Sequence, residues 1–398
     1  MPTSTLPAWV QPEKLSLETR LLLTATRIGP AELSAEWAAV LPAIQWDKLL
    51  AEARRQGVTA QLCHWLEAAG AAPAAVLAEL RQLRQNNTLR NLRMTGELLE
   101  VMQLFSANGI SAIPYKGPTL AMLAYDDLAR RQFSDLDMLI REEDLVAAGQ
   151  LLIARGYQPL VDFEAAHDAT FRRVHNVLEF THAGKGCMVE VHWRLAGVLL
   201  PFSMHEIGQQ LVESFPGGKR IFTFAPEPLL VYLCTHSAKH CWAQLNWAAD
   251  LANLIYRQPA LDWSTMFALA ARQRCVRVLR LGLLLASELL AAPLPEPIQQ
   301  QVRADAVARK LAQRALGWWQ LPASAAPGPE NRMWERNKLF FAMQDDWPGR
   351  VVYVYRLLTT PNFGDWQWFK LPPQLTPLYF LLRPLRFLSN LFRSLWQR

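Results

Sequence analysis

The sequence has no long apolar segment and no export signal. No window of 18 residues is both apolar and uncharged, so a membrane-spanning helix is not predicted. The first 20 residues, MPTSTLPAWVQPEKLSLETR, lack the basic start and the continuous apolar stretch of a signal peptide. We therefore expect a cytoplasmic protein.

Cysteine and charge are both scarce. The five cysteines are odd in number and form no CxxC pair, so neither a disulfide scaffold nor a zinc knuckle is predicted. Free thiols are the simpler expectation. Charged residues make up 19% of the chain, with a net charge of +6. This mild basic excess could favour anionic substrates, but it does not indicate a nucleic-acid partner.

What the chain has in quantity is apolar residues, at 51%, which excludes a disordered protein. Apolar residues at helical spacing predict an N-terminal helical region over 1–107 and a helical C-terminal domain over 226–325. Between them, 108–225 alternates short β-prone runs with a helix that Gly156 ends. We predict an α+β fold in which a small mixed β-sheet is flanked by helical regions.

A C-terminal extension, 326–398, follows a linker at PASAAPGPEN and ends in PLYFLLRPLRFLSNLFRSLWQR. Its aromatic and leucine residues are mixed with arginines, among them Arg383 and Arg386, so it could make a peripheral contact with a membrane surface. Pro384 is expected to break the helix. The simpler expectation, which we prefer, is an extension packed on the body of the protein with its arginines facing solvent.

Two aspartates one residue apart interrupt the apolar run SDLDMLI. A buried strand normally excludes carboxylates, because an uncompensated charge is costly in a core. Side chains alternate along a strand, so Asp135 and Asp137 project from the same face. Two carboxylates on one face predict a site for Mg²⁺ or Mn²⁺, with positions left for substrate phosphates.

A second β-prone run, CMVEVHW, carries Glu190 and His192 on one face. The turn HAGKG before it predicts a hairpin with NVLEFTH. If this strand lies beside SDLDMLI, three carboxylates converge, which is enough to hold two metal ions. His192 could orient a ligand or act as a base, and a hydrogen-bonded core histidine is an equal alternative.

The run IPYKGPTLAMLAY leads from a strand through Lys116 and Gly117 into a helix that Pro118 can begin. Free N–H groups and the positive end of the helix dipole bind anions at such a point. Lys116 adds a full positive charge there. Arg131, four residues before Asp135, is a further candidate for phosphate binding because its planar fork matches phosphate oxygens.

The segment HSAKH places His236 and His240 at a spacing that can hold zinc, but there is no HExxH glutamate and no evident third ligand. We expect this face, with Lys239 and Asp250, to line the cleft between the helical layer and the core. Lys239 could meet phosphate or an acceptor there. A purely structural role for this face is an equal alternative.

The order KG, helix, DxD on a strand and lone acid on a later strand resembles the nucleotidyltransferases of the polymerase beta superfamily. More closely, YKGPTLA, RQFSDLDMLI, VEVHWRL, HSAKHCWAQLNWAADL and LPPQLTPLYFLLRPLRF look like segments of the bacterial group labelled uncharacterised nucleotidyltransferase. The resemblance implies that Asp135, Asp137 and Glu190 bind metal. It also implies that Lys116 and Gly117 form the phosphate-binding turn, although the superfamily usually has Gly followed by Ser there.

This resemblance implies transfer of a nucleoside monophosphate from a nucleoside triphosphate (NTP) to a hydroxyl-bearing acceptor, with release of pyrophosphate. The sequence names neither the acceptor nor the base. One alternative is a non-catalytic protein of the same fold that senses a nucleotide or acts as a scaffold. Another is a DxD glycosyltransferase, but that fold would place a nucleotide-binding βαβ unit before the DxD, where this chain has a long helical region.

Overall fold

The fold is taken from a computed structural model that describes residues 6–195, 210–321, 333–368, 371, 373–375 and 377–396. The predicted linker PASAAPGPEN lies wholly outside these ranges, and so does Arg398. Within them, all seven strands fall between residues 113 and 224, and helices lie on both sides of that segment. The predicted α+β class, with a small mixed sheet and helical flanks, is confirmed.

The main sheet has five strands in the order β1-β2-β5-β4-β3, and β6 and β7 form a separate antiparallel pair. Strands β2 and β5 are parallel, whereas the other pairs in the main sheet are antiparallel. The strands are β1 (Ile113–Pro114), β2 (Asp135–Leu139), β3 (Gln158–Pro159), β4 (Val177–His182), β5 (Cys187–His192), β6 (Leu211–Ser214) and β7 (Ile221–Phe224).

Among the described residues, eight α-helices lie before or among the strands. They are α1 (Leu17–Thr26), α2 (Ala35–Val40), α3 (Trp46–Arg55), α4 (Thr59–Ala69), α5 (Ala74–Ala107), α6 (Gly117–Tyr125), α7 (Leu145–Ala154) and α8 (Ala169–Val174). The helix predicted before Gly156 is α7, which ends two residues earlier. Gly156 follows with a φ of 94°, a left-handed conformation that favours glycine.

In the described ranges after the strands there are ten further α-helices. Those of the C-terminal helical region are α9 (Pro226–Lys239), α10 (Leu245–Arg257), α11 (Trp263–Arg272), α12 (Val276–Leu284), α13 (Glu296–Ala304) and α14 (Ala306–Trp319). Those of the extension are α15 (Met333–Met343), α16 (Trp347–Thr359), α17 (Phe363–Trp368) and α18 (Leu378–Trp396). In the described part of the chain, none of these helices has the length and apolarity needed to cross a membrane.

Two hydrophobic clusters form the interior. One joins the sheet to the second half of α5, through residues such as Met94 and Leu98, and also includes Trp366 and Tyr379 of the extension. The other joins the N-terminal helices to α9–α14. Each cluster therefore draws on more than one of the four predicted regions, whose boundaries remain predictions. All five cysteines are buried and free.

The extension departs from the sequence prediction at two points. Helix α18 continues through Pro384 instead of breaking there, since an internal proline costs one backbone hydrogen bond but need not end a helix that is packed on its neighbours. Arg383 and Arg386 do not face solvent. Both guanidinium groups turn inward to the buried carboxylate of Asp365, at 3.4 and 2.6 Å, so the prediction of solvent-facing arginines is wrong for these two.

The core around α12 has no room at Gly282. A Cβ atom there would lie 2.5 Å from Sγ of Cys234 and 3.0 Å from the ring of Trp242. We expect Gly282→Ala to lower the free energy of unfolding by about 1–3 kcal/mol, because overpacking outweighs the gain in helix propensity. The matched control is Gly96→Ala in α5, where a Cβ meets nothing within 4 Å and a gain of about 1 kcal/mol is expected. Chemical denaturation measures both, and equal effects would contradict the packing argument.

Candidate active site

The strand that carries the DxD lies beside the strand that carries Glu190. In the parallel pairing of β2 with β5, Asp137 is directly opposite Glu190, and Asp135 is opposite Met188. The predicted hairpin of β4 with β5 is also present. Leu136 and Met138 are 1% and 0% exposed, in the core on the other face. Strand alternation therefore turns the carboxylates to a common face.

Three side chains on this face form a group that could hold a metal ion: Asp137, Glu190 and His192. Each offers one ligand atom, and these atoms all lie within 4.8 Å of one another. Nε2 of His192 is 3.1 Å from Oε2 of Glu190 and 3.5 Å from Oδ1 of Asp137. Asp135 does not belong to this group, although it lies on the same face and is half-buried.

Lys116 is the nearest cation to this group. Its Nζ lies 2.5 Å from Oδ1 of Asp137, and the two residues are only 9% and 1% exposed. The backbone at the next residue makes this approach close: Gly117 has a φ of 52°, and a Cβ on it would lie 3.2 Å from the carbonyl oxygen of Asp135. Glycine therefore lets the start of α6 pack against β2 and bring Lys116 to the aspartate.

The pKa values of these groups reflect burial and mutual charge. Burial alone would raise the pKa of Asp137, but the Lys116 ammonium and the His192 ring hold it well below its usual range. Burial alone would lower the pKa of Lys116, and Asp137 raises it instead. The pKa of Asp135 is raised to about 6 by burial and by the charge of Asp137. At pH 7 the site therefore contains an ion pair beside a more basic carboxylate.

The donor set fits a divalent cation. Oδ2 of Asp137 is buried and has no hydrogen-bond partner among the described residues, so one carboxylate oxygen is available as a ligand. The other two donors are a carboxylate oxygen of Glu190 and an imidazole nitrogen of His192. Burial would lower the pKa of His192, whereas its contacts with Asp137 and Glu190 raise it. A cation would bind the neutral ring, so it would compete with protons for this nitrogen.

Arg131 is engaged by a buried carboxylate. Its Nε donates to both oxygens of Asp250, at 3.1 and 3.0 Å, and the hydroxyl group of Tyr125 donates to the same carboxylate at 2.9 Å. A second guanidinium nitrogen donates to the carbonyl oxygen of Gly117 at 3.4 Å. Arg131 thus ties the phosphate-binding turn proposed from sequence to α10. Its predicted phosphate contact remains a prediction.

A cleft of about 910 Å³ opens over Asp135, Glu190 and His192, whereas Asp137 lies buried beneath its lining. Its walls come from the sheet, from α9 and α10, and from the extension, and they carry more positive than negative side chains. The basic residues in the walls are Lys116, Arg131, Arg173, Arg194, Lys239, Arg336, Arg356 and Arg383, and the acidic ones are Asp135, Glu179 and Glu190. Lys239 is exposed in this cleft.

His236 and His240 also line the cleft, and both contact Trp247. The centroids of the two imidazole rings are 4.8 Å apart. Burial and the positive charge of neighbouring lysines lower both pKa values, that of His240 to about 3, so both rings are uncharged at pH 7. Within the described residues they join no group of three metal-ligating side chains. Trp247, Arg336 and Arg356 also line the cleft, but the sequence does not predict them as site residues, because no spacing links them to the DxD.

A family model described as "Uncharacterised nucleotidyltransferase" matches residues 42–291 of the 398. No curated protein matches the chain. A solved structure, an antigenic nucleotidyltransferase-like protein from Paracoccidioides brasiliensis, is 17% identical, with coverage of 53% of this chain and 97% of that one. Its TM-score of 0.29 is too low to support an argument. The family match covers more than half of the chain and includes the cation group and Lys116, so the chain belongs to the family of uncharacterised nucleotidyltransferases.

Proposed function

We propose that this protein transfers a nucleoside monophosphate from an NTP to a hydroxyl-bearing acceptor and releases pyrophosphate. The observation that carries the proposal is the register of Asp137 with Glu190 on parallel strands, beneath a largely basic cleft. A buried carboxylate oxygen without a hydrogen-bond partner would be costly in a purely structural site. Family membership supports the same reaction class.

Asp137, Glu190 and His192 would hold the divalent cation. Of the two ions predicted from sequence we favour Mn²⁺, because an imidazole nitrogen suits transition-metal ions better than Mg²⁺. A cation bound there would polarise the phosphate oxygens of the nucleotide and make the acceptor hydroxyl more acidic. The sequence also predicts a second bound cation, which would need Asp135 as a ligand, but Asp135 lies outside the cation group.

The other residues of the cleft have separate tasks in this proposal. Asp135, with a pKa of about 6, is ionised at neutral pH and basic enough to accept the proton of the acceptor hydroxyl. Lys239 is exposed in the cleft and would neutralise phosphate charge. The uncharged rings of His236, His240 and Trp247 offer a surface on which a nucleobase could stack.

A non-catalytic nucleotide sensor is the second candidate, and the ion pair of Lys116 with Asp137 favours it. An ammonium group 2.5 Å from a ligand oxygen competes with any cation for that carboxylate. One assay separates the candidates: the chain is incubated with each NTP, Mn²⁺ or Mg²⁺ and a panel of hydroxyl acceptors. Pyrophosphate release supports the transferase, and nucleotide binding without turnover supports the sensor. Release of nucleoside diphosphate from nucleotide sugars would support a glycosyltransferase instead.

A matched pair of variants tests whether nucleotide binding depends on the cation. Glu190 and Glu179 face each other across the β4–β5 hairpin, and both line the cleft, but only Glu190 belongs to the cation group. We expect Glu190→Gln to weaken Mn²⁺-dependent NTP binding by about 10-fold or more, since a neutral amide is a poorer ligand. Glu179→Gln should bind normally. Isothermal titration calorimetry measures both, and equal affinities would place the cation elsewhere.

A further inference from the structure

Helix α16 exposes an apolar stripe. Trp347, Val351 and Tyr355 are spaced by four residues, and their exposed fractions are 68%, 64% and 65%. Tyr353, by contrast, is 3% exposed and belongs to the core. A surface helix normally turns its apolar stripe inward. The stripe of α16 faces solvent instead.

Helix α18, which packs beside α16, has the same inverted arrangement. Leu381 and Leu385 are 69% and 63% exposed, whereas Tyr379 is 0% and Arg383 is 9% exposed. On an ordinary surface helix the guanidinium group of Arg383 would face solvent, but here it pairs with Asp365 in the interior. We call the exposed apolar faces of α16 and α18 together the extension face. Large exposed apolar areas of this kind mark an interaction site.

The charges of α16 and α18 indicate what kind of partner the extension face can bind. Together α16 and α18 contain five arginines and no carboxylate. Arg383 and Arg386 are paired with Asp365 and Arg356 lines the cleft, so Arg350 is the arginine of α16 that lies beside the exposed apolar stripe. The acids nearest to α16 in the sequence are used inward: Asp345 accepts hydrogen bonds from the backbone of α12, and Asp346 caps α16 itself. Arg350 lies over the ring of Trp347, 5.1 Å from its centroid. Exposed leucine, tryptophan and tyrosine beside arginine are the composition of helices that lie in a membrane interface.

We propose that the extension face docks the protein on a bilayer surface that contains anionic lipid. Leucine and tryptophan side chains would enter the boundary between headgroups and acyl chains, and Arg350, beside Trp347, would meet a lipid phosphate. The contact is peripheral, in keeping with helices that cannot span a membrane within the described ranges. Arg356 of α16 and Arg383 of α18 also line the cleft, so docking would involve the helices that form one of its walls.

The test is flotation of the full chain with vesicles of phosphatidylcholine alone or mixed with phosphatidylglycerol. We expect binding to the mixed vesicles that weakens as salt is raised. Leu381→Glu with Leu385→Glu should lower the bound fraction by about 10-fold or more, because two apolar groups are lost from the lipid contact and two negative charges are added. Both positions are more than 60% exposed, so the variant should unfold at the same temperature as the wild type.

The matched control is Leu89→Glu with Leu92→Glu on α5, where the side chains are 47% and 51% exposed. It adds the same charge without touching the extension face and should bind vesicles normally. The proposal is overturned if the wild type binds neither vesicle or if both double variants bind like the wild type. It is also overturned if light scattering shows an oligomer that only the Leu381 and Leu385 substitutions dissociate, since the face would then join two copies of the chain.

Discussion

Replacing Lys116 with methionine is expected to lower the free energy of unfolding by about 3 kcal/mol when no divalent cation is present. The substitution leaves the carboxylate of Asp137, which is 1% exposed, without its closest counter-charge. Removal of one partner of a buried pair usually costs about 3–5 kcal/mol. We expect the lower end because Nε2 of His192 lies 3.5 Å from the same oxygen and can supply part of the missing charge.

The pH dependence of this loss has a definite sign. In the wild type the pKa of Asp137 is lower in the folded state than in the unfolded chain. Its contribution to stability is therefore complete above about pH 4 and is lost on acidification. In the Lys116→Met variant, burial without the ammonium raises the pKa of Asp137, so acidification should stabilise that variant. The two stabilities should converge as the pH falls below about 5.

Divalent cations should also change the stability of the Lys116→Met variant. Because Lys116 and a cation compete for Asp137, removal of the ammonium should make the fold depend on Mn²⁺, which would recover much of the lost stability. Denaturant titrations with and without Mn²⁺ measure this. Lys239→Met is the matched control, since that lysine lines the same cleft but is exposed. An Mn²⁺ effect of equal size in both variants would show that the cation binds away from Asp137.

Local sequence was sufficient to predict the faces of the two strands that carry the carboxylates, and the hairpin of β4 with β5. Alternation along SDLDMLI and CMVEVHW identified which side chains share a face, and the HAGKG turn identified the hairpin. These are local properties of strands and turns. Adjacency of β2 and β5 required the family resemblance, because the two strands are separated by more than 40 residues and nothing local fixes their pairing.

The membership of the cation group could not be predicted in the same way. Asp135 precedes Asp137 by two residues and His192 follows Glu190 by two, so alternation places both beside an acid, yet only His192 joins the cation group. Side-chain reach depends on the rotamer, on strand twist and on the helix that begins at Gly117, none of which spacing encodes. The pairing of Arg131 with Asp250 joins residues 119 positions apart. Only the packing of α6 against α10 brings them together.

Asp137→Asn should abolish most of the proposed transfer activity, but alone it cannot distinguish chemistry from folding. The asparagine would leave the ammonium group of Lys116, which is 9% exposed, without its partner. The double variant Lys116→Met with Asp137→Asn removes both charges together. This double variant should be nearly as stable as the wild type, because the attraction within a buried ion pair is largely offset by the cost of desolvating both charges. The double variant thus retains the fold and loses the buried carboxylate ligand.

For this double variant we expect pyrophosphate release to fall by about 10³-fold, which corresponds to about 4 kcal/mol of lost transition-state stabilisation. Lys116→Met alone, in saturating Mn²⁺, should retain far more activity, since its cation group of Asp137, Glu190 and His192 is intact. Initial rates at saturating NTP, with unfolding followed in parallel, measure both effects. A stable double variant whose rate stays within about 10-fold of the wild type would remove Asp137 from the reaction, and with it the proposed cation site.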